Sequence, residues 1–196
     1  MAAAGGRSLG LVLILTHDVT SPASALAVAR FDRLAADGLP VRFRGVDVLG
    51  LDATVPVTLD VLAELERVAP RAAALGITLQ RPSQRPSTAR VHLVADLAQE
   101  SGLGRAWRAA SYRAYWQDDA DLGDPEVVVA LAAATGMDGD QVAAVVADQS
   151  AVAEVRRRTH TARGEGIGGV PVLAAHGTLV SPDLDDADLW ALAALS

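Results

Sequence analysis

The sequence contains no cysteine. That absence removes disulfides, cysteine nucleophiles, thiolate metal ligands and iron–sulfur clusters together. Thiol–disulfide exchange needs sulfur at the attacking centre, so no side chain of this protein can carry it out. Positive charge is in deficit as well: 17 Lys and Arg stand against 24 Asp and Glu, a formal charge of −7, which makes nucleic acid a poor partner. Long hydrophobic runs are missing. The run LGLVLIL near the amino terminus is far shorter than the ~20 residues a membrane-crossing helix needs. It leads straight into His17 and Asp18 without a small-x-small cleavage site, so it reads as a buried strand rather than a secretory signal, and the expected location is cytoplasmic with no membrane partner. The four histidines show no HExxH or comparable metal spacing. Asp118, Asp119, Asp121 and Asp124 lack the spacing and terminal glutamate of a calcium loop, so no metal is expected. The glycines of RGEGIGG do not make a dinucleotide fingerprint, which excludes a nicotinamide or flavin site.

What the sequence does have is apolar mass. Hydrophobic residues make up 51% of 196, charged residues 21%, and the mean hydropathy is +0.25. Pervasive disorder is excluded, and the length fits one ordinary domain or a small domain carrying a large insertion. Residues 9–16 form a continuous Leu, Val and Ile run suited to a central strand covered on both faces. Ser21 can cap the following helix and Pro22 can take its first position, where a missing N–H leaves nothing unpaired. That helix is expected to end near Gly38, and residues 39–46 return as a strand, completing a βαβ opening. Residues 56–76 read as helix broken around Pro70, followed by the loop TLQRPSQRPS. Helical patterns then cover 88–99, 105–117, 125–135 and 140–158. Short strands at 172–175 and 178–180 flank a His176-Gly177 turn, and 185–195 closes as a helix. The order is βαβ, helices, ββα, so residues 56–155 look inserted into an α/β body made of 9–55 and 156–196.

These parts resemble the thioredoxin-like fold of the DsbA superfamily. In its FrnE-like oxidoreductases the helix start carries Cys-Pro-x-Cys, and the segment DVTSPASAL puts Ser21, Pro22, Ala23 and Ser24 there. STARVH, ending at His92, is similar to their Asn-Thr-x-x-Ala-His segment, with Ser87 and Val91 as departures. The stretch from Tyr112 through the acidic loop to Asp124-Pro125 is similar to their helical domain, and Gly169-Val170-Pro171 matches the loop whose proline is cis and faces the active-site helix. The Ser-Pro step also resembles kappa-class glutathione transferases and 2-hydroxychromene-2-carboxylate isomerases, in which a serine contacts a bound glutathione sulfur. Ala25 departs from their pattern, which often has an aromatic residue there. The resemblance implies an α/β, thioredoxin-like fold with a large helical insertion. It also implies cofactor contacts at Ser21, Val170 and Pro171.

Each candidate residue also has a structural role open to it. Ser21 near the helix amino end suits an anion such as a thiolate, while an ordinary N-cap explains the same residue without a ligand. Ser24 can bond to Ser21, to a ligand or to the first helical turn. His92 can face a groove and exchange a proton near neutral pH, or serve as a solvent-facing or capping histidine. Trp107, Tyr112, Tyr115 and Trp116 can line a cleft or knit the insertion to the body. Arg156, Arg157, Arg158 and Arg163 can grip a carboxylate or simply complement a helix end.

The expected function is a thiol-cofactor-dependent transferase or isomerase acting on a small hydrophobic electrophile. Its expected catalytic residues are Ser21 and His92, and its expected cofactor-binding residues Ser21, Ser24, Val170 and Pro171. Glutathione is the family's usual cofactor; the alanine-, arginine-, glycine- and valine-rich composition keeps mycothiol as the alternative. The rival is a redox-inactive protein that keeps the groove and binds a peptide or metabolite without covalent chemistry. The expected partners are therefore a small hydrophobic molecule or a peptide-like thiol, with association as a homodimer left open.

Overall fold

The structure is a computed structural model and describes residues 12–195; the part of the expected first strand before Val12 lies outside the described residues. Strand β1 (Leu13–His17), helix α1 (Pro22–Ala36) and strand β2 (Val41–Gly45) make the opening unit. Six helices follow: α2 (Leu59–Ala74), α3 (Ala89–Glu100), α4 (Gly104–Trp116), α5 (Pro125–Ala134), α6 (Gly139–Ala147) and α7 (Gln149–Gly164). The chain then returns as β3 (Val172–Ala175), β4 (Thr178–Val180) and α8 (Asp186–Ala194). The expected α/β architecture with its helical insertion is what the chain forms.

The four strands make one sheet in the order β2-β1-β3-β4. β1 runs parallel to β2, with Leu15 opposite Phe43, and antiparallel to β3, with Leu15 opposite Leu173. Being paired on both sides, β1 has no solvated edge, and Leu13 and Leu15 are fully buried. Between β3 and β4 the turn residues His176 and Gly177 have φ of +51° and +74°. Positive φ at both positions gives a two-residue hairpin the twist of its strands.

Two cores meet at α1. Val28, Phe31 and Leu34 pack on the sheet with Leu13, Leu15 and Leu173. The helices enclose Trp107, Trp116, Leu122, Val128 and Val142, and this second core takes in Val19 and Ala25 from the βα junction. Tyr112 packs against both. No helix among the described residues is long and apolar enough to cross a membrane.

The structure corrects the sequence reading at two helices. Pro70 does not break α2, which runs through it. It sits on the exposed side beside exposed Glu66, so the carbonyl deprived of its partner can be hydrated instead of stranded. The single helix expected over 140–158 is two helices, because Asp148 has φ −74° and ψ 99° and ends α6 while capping α7. Its carboxylate accepts from the N–H groups of Ser150 at 2.8 Å and Ala151 at 3.2 Å. Removing an N-cap acceptor of this kind costs about 1 kcal/mol. Asp148→Ala is therefore expected to lower the urea midpoint with an unchanged m-value; an unmoved midpoint would show that packing alone sets the break.

Candidate functional site

β1 delivers the chain to the end of the sheet where α/β proteins collect ligands, and residues 18–21 turn it into α1. The turn is built on Asp18, whose carboxylate is fully buried. Oδ1 accepts from the Thr20 N–H at 3.0 Å and the Thr20 hydroxyl at 3.2 Å, and Oδ2 accepts from the Val48 N–H at 2.7 Å. The Ser21 N–H then donates to the Asp18 carbonyl at 3.2 Å. Ser21 is extended, with φ −92° and ψ 122°, and its Oγ accepts from the Ser24 N–H at 3.1 Å. It is the N-cap of α1, and Pro22 follows where no intrahelical donor is needed.

The same hydroxyl reaches across the fold and donates to the Val170 carbonyl at 3.3 Å. The Val170–Pro171 peptide is cis. Both residues line a cleft of about 300 Å³ shared with Ala23, Glu64, Arg67 and Arg71. Ser21, Val170 and Pro171 are thus brought together. Ser24 lies behind them, fully buried, with its Oγ accepting from the Asp18 N–H at 3.4 Å. His92 does not line this cleft. It is 2% exposed on α3, its Nε2 lies 3.8 Å from Oδ1 of Asp18, beyond hydrogen-bond reach, and its ring meets that of His17 edge-on.

Beneath the turn lies a polar layer with shifted acidities. Burial first, then the nearby His92 and Arg108, hold the His17 imidazole well below its ordinary range, with Asp18 pulling the other way. Its Nδ1 is 3.0 Å from the Tyr112 hydroxyl, which burial and the charges of Asp18 and Asp32 push well above the usual phenol range. Burial raises the Asp18 carboxyl, but His92 and the N–H donors of Thr20 and Val48 outweigh it, leaving the group more acidic than usual. Asp47, also fully buried, goes the other way: burial and the neighbouring Asp18 raise it against the Ser87 hydroxyl, which donates to it at 2.8 Å. The Thr88 hydroxyl is 3.5 Å from the same carboxylate. At the cleft itself, burial raises the Glu64 carboxyl, opposed by Arg67 and the Ala23 N–H.

The other sequence candidates have different work. Trp107 and Trp116 donate their indole N–H to the carbonyls of Val91 and Val19, and the Tyr115 hydroxyl donates to Gln84, so these three tie helices and loops together. Arg156 pairs with Asp52, Arg157 with Glu154 and Arg158 with Asp96, while Arg163 donates to the Val48 carbonyl. None of the four lines the cleft at Val170 and Pro171, and Ser21 itself meets that cleft only through its bond to the Val170 carbonyl. Sequence reasoning gave no role to Asp18, Asp47, Glu64 or the His17–Tyr112 contact. The Asp-x-Thr spacing of an Asx-type turn marks Asp18 in the sequence; nothing local marks Asp47 or Glu64. No group of three or more His, Asp or Glu side chains that could hold a metal ion occurs among the described residues.

The sequence model of a family described as DSBA-like thioredoxin domain matches residues 12–193. No curated protein matches the chain. Among solved structures, a probable DsbA oxidoreductase from Streptomyces coelicolor is 25% identical with a TM-score of 0.77, covering 93% of this chain and 88% of that one. A 2-hydroxychromene-2-carboxylate isomerase is 20% identical with a TM-score of 0.69, covering 86% and 87%. The cytosolic disulfide reductase DsbM from Pseudomonas aeruginosa, solved with GSH, is 19% identical with a TM-score of 0.67, covering 91% of each chain. At such identities the last two bear on the fold alone.

Two measurements check the polar layer. A Cβ at Gly45 would stand 2.1 Å from His92 Nδ1. Gly45→Ala is expected to destabilise by at least about 1–3 kcal/mol through overpacking, with much of the loss recovered in Gly45→Ala/His92→Ala; additive losses would refute the contact. The folded pKa of His17 lies below its unfolded value near 6.5, so the unfolded chain takes up the proton first. Its contribution to stability is complete above that value and is lost as pH falls below it, by up to about 1.4 kcal/mol per pH unit. Urea midpoints between pH 7.5 and 5.5, on the order of that window, are expected to fall in the wild type and to fall less in His17→Gln; parallel profiles would remove His17 from the account.

Proposed function

The chain belongs to the DSBA-like thioredoxin domain family, and from that premise we propose that it binds a small thiol at Ser21 and acts as a thiol-dependent transferase or isomerase on a small hydrophobic electrophile. The thiol is of the glutathione or mycothiol class. The observation that carries this reading is the Ser21 hydroxyl bonded to the Val170 carbonyl at the wall of the cleft.

A hydroxyl has one proton and two lone pairs. In Ser21 one lone pair holds the Ser24 N–H and the proton goes to Val170. A peptide-like ligand with an N–H of its own can satisfy the Val170 carbonyl, which frees the Ser21 proton for the ligand's sulfur. The count of hydrogen bonds is preserved in this exchange, so it costs little, and the amino end of α1 favours the sulfur as an anion. When bound, the thiol would supply the one nucleophile the chain lacks. Arg67, exposed at the cleft and 3.9 Å from the Glu64 carboxylate, can exchange that loose pairing for a ligand's carboxylate. Glu64, raised by burial, is the acid in the cleft best suited to hold a proton. In this reading His92 acts through Asp18 as a positioning residue, and Ser24 holds the turn from behind.

A second reading, a binding protein without covalent chemistry, is favoured by one fact: both serine hydroxyls are already engaged with backbone groups. Turnover separates the two. Ser21→Ala is expected to weaken glutathione or mycothiol binding by roughly tenfold to a hundredfold, the worth of about 1–3 kcal/mol for a bond to a charged group, and to lower turnover of a chromogenic electrophile alike. Calorimetry and steady-state rates measure this, with circular dichroism controlling for the lost cap. Unchanged binding and turnover in Ser21→Ala would leave Ser21 a helix cap and end the thiolate mechanism; thiol binding without turnover would favour the second reading.

A further inference from the structure

α1 separates two clefts. Ala23, Leu26, Ala27 and Arg30 face the one at Val170 and Pro171. Ala25, Val28, Ala29 and Asp32 face another, of about 270 Å³, closed on its far side by α4 and the loop at Ile77 to Leu79. At about 100° per residue these two sets point to nearly opposite sides of the helix, so the second cleft is a separate place from the Ser21 site and owes nothing to it.

Its floor is apolar, formed by Val28, Ile77, Leu79 and the ring of Trp116. The Trp116 indole N–H is already given to the Val19 carbonyl at 2.8 Å, so the ring offers the cleft only apolar surface. The rim is basic. Arg105, Ala109 and Arg113 are each four residues apart, which puts them on one stripe of α4, and all three line the cleft. The stripe rises about 12 Å between the two arginines, with only the methyl of Ala109 between them, so both guanidinium groups can close on one ligand group seated above it. Arg108 is not available for this: it is bonded to Asp32 and lies 3.7 Å over the Phe43 ring. That pairing also neutralises Asp32, the one carboxylate lining the cleft. Among the described residues the side chains of Arg105 and Arg113 make no ion pair or hydrogen bond. In a chain of net charge −7, two unpaired guanidinium groups over an apolar floor select an apolar body with an anionic end.

We propose that this cleft is a second binding site, for a small apolar carboxylic acid. Its apolar body lies between α1 and α4 against Trp116, and its carboxylate is held by Arg105 and Arg113. The volume of about 270 Å³ lies just below the roughly 300–1,000 Å³ of ligand sites, which limits the body to one or two rings or a chain of similar bulk.

The probes are naphthoate and its neutral counterpart naphthalenemethanol, titrated into the intact protein by calorimetry and by amide chemical shifts. Naphthoate is expected to shift the amides of Ala29, Ala109 and Gln117. Arg105→Ala/Arg113→Ala, two exposed positions whose loss leaves the cores untouched, is expected to weaken naphthoate by at least about tenfold and to leave naphthalenemethanol unchanged. Arg67→Ala, in the other cleft, is expected to leave naphthoate unchanged. Ala29→Trp, filling the cleft, is expected to abolish both probes. No shift at these amides with millimolar naphthoate, equal affinity in the double arginine variant, or equal losses for charged and neutral probes would each overturn the assignment.

Discussion

The buried carboxylate of Asp18 is the constraint on which the rest of this site depends. A carboxylate removed from water must be paired or fully hydrogen-bonded, and Asp18 draws its donors from its own turn at Thr20 and from the strand-exit loop at Val48. Satisfying it fixes two loops at one end of the sheet relative to each other. That in turn sets where β1 ends and where α1 begins, and so where Ser21 stands against Val170. His92 completes the enclosure from α3, and because a Cβ at Gly45 would meet its ring, the end of β2 must carry glycine for α3 to sit this close. A second buried carboxylate, Asp47, repeats the device one loop over, holding Ser87 at the start of α3. The helical insertion is therefore fastened to the sheet by polar groups at the site as well as by apolar packing elsewhere.

Placing serine rather than sulfur at the start of α1 changes more than redox chemistry. A hydroxyl is a stronger hydrogen-bonding group than a thiol, so Ser21 caps the helix and spans to the Val170 loop at the same time. Both helix-start serines are thereby turned toward the backbone. What stays open is the surface they organise: the cleft at Ala23, Val170 and Pro171, with Glu64 and Arg67 on its wall. The functional question at this site is thus one of hydrogen-bond exchange, whether a ligand can take over the carbonyl that Ser21 now holds.

Local signals read well from the sequence where the interaction is itself local. The first strand, the Ser21-Pro22 cap and the His176-Gly177 turn each depend on neighbours within a few residues; the cap and the turn stand as read, and within the described residues the strand expected over 9–16 runs Leu13–His17. Pro70 and Asp148 depart from the sequence pattern for opposite reasons. Pro70 faces water, where the carbonyl it deprives of a partner can be hydrated, and the sequence alone does not show which side of the helix it takes. At Asp148 the apolar periodicity continues on both sides of a cap, and the Asp-Gln-Ser spacing is the local mark of the break. The family resemblance brought Ser21, Val170 and Pro171 to one place, which no local pattern could do across 149 residues. It did not supply Asp47 or Glu64, because their roles arise from which buried surfaces meet, and single residues of that kind carry no pattern in a sequence.

The place of Tyr112 follows from the same logic and ties the two halves of the molecule together. It packs against the sheet core and the helical core at once, its hydroxyl lies 3.0 Å from His17 of β1, and its ring borders the cleft between α1 and α4. One side of this residue therefore faces the buried layer under Ser21 and the other the cleft between α1 and α4. Because burial holds the phenol far above its usual range and the imidazole far below it, both partners of that contact are neutral at physiological pH, and each can donate or accept. A neutral pair can keep its hydrogen bond while the ring shifts slightly, whereas an ionised pair in the same enclosure would pay a large desolvation cost. At Tyr112 the junction between sheet and insertion is thus held by a neutral contact, beside the charged Arg108–Asp32 pair that joins α4 to α1.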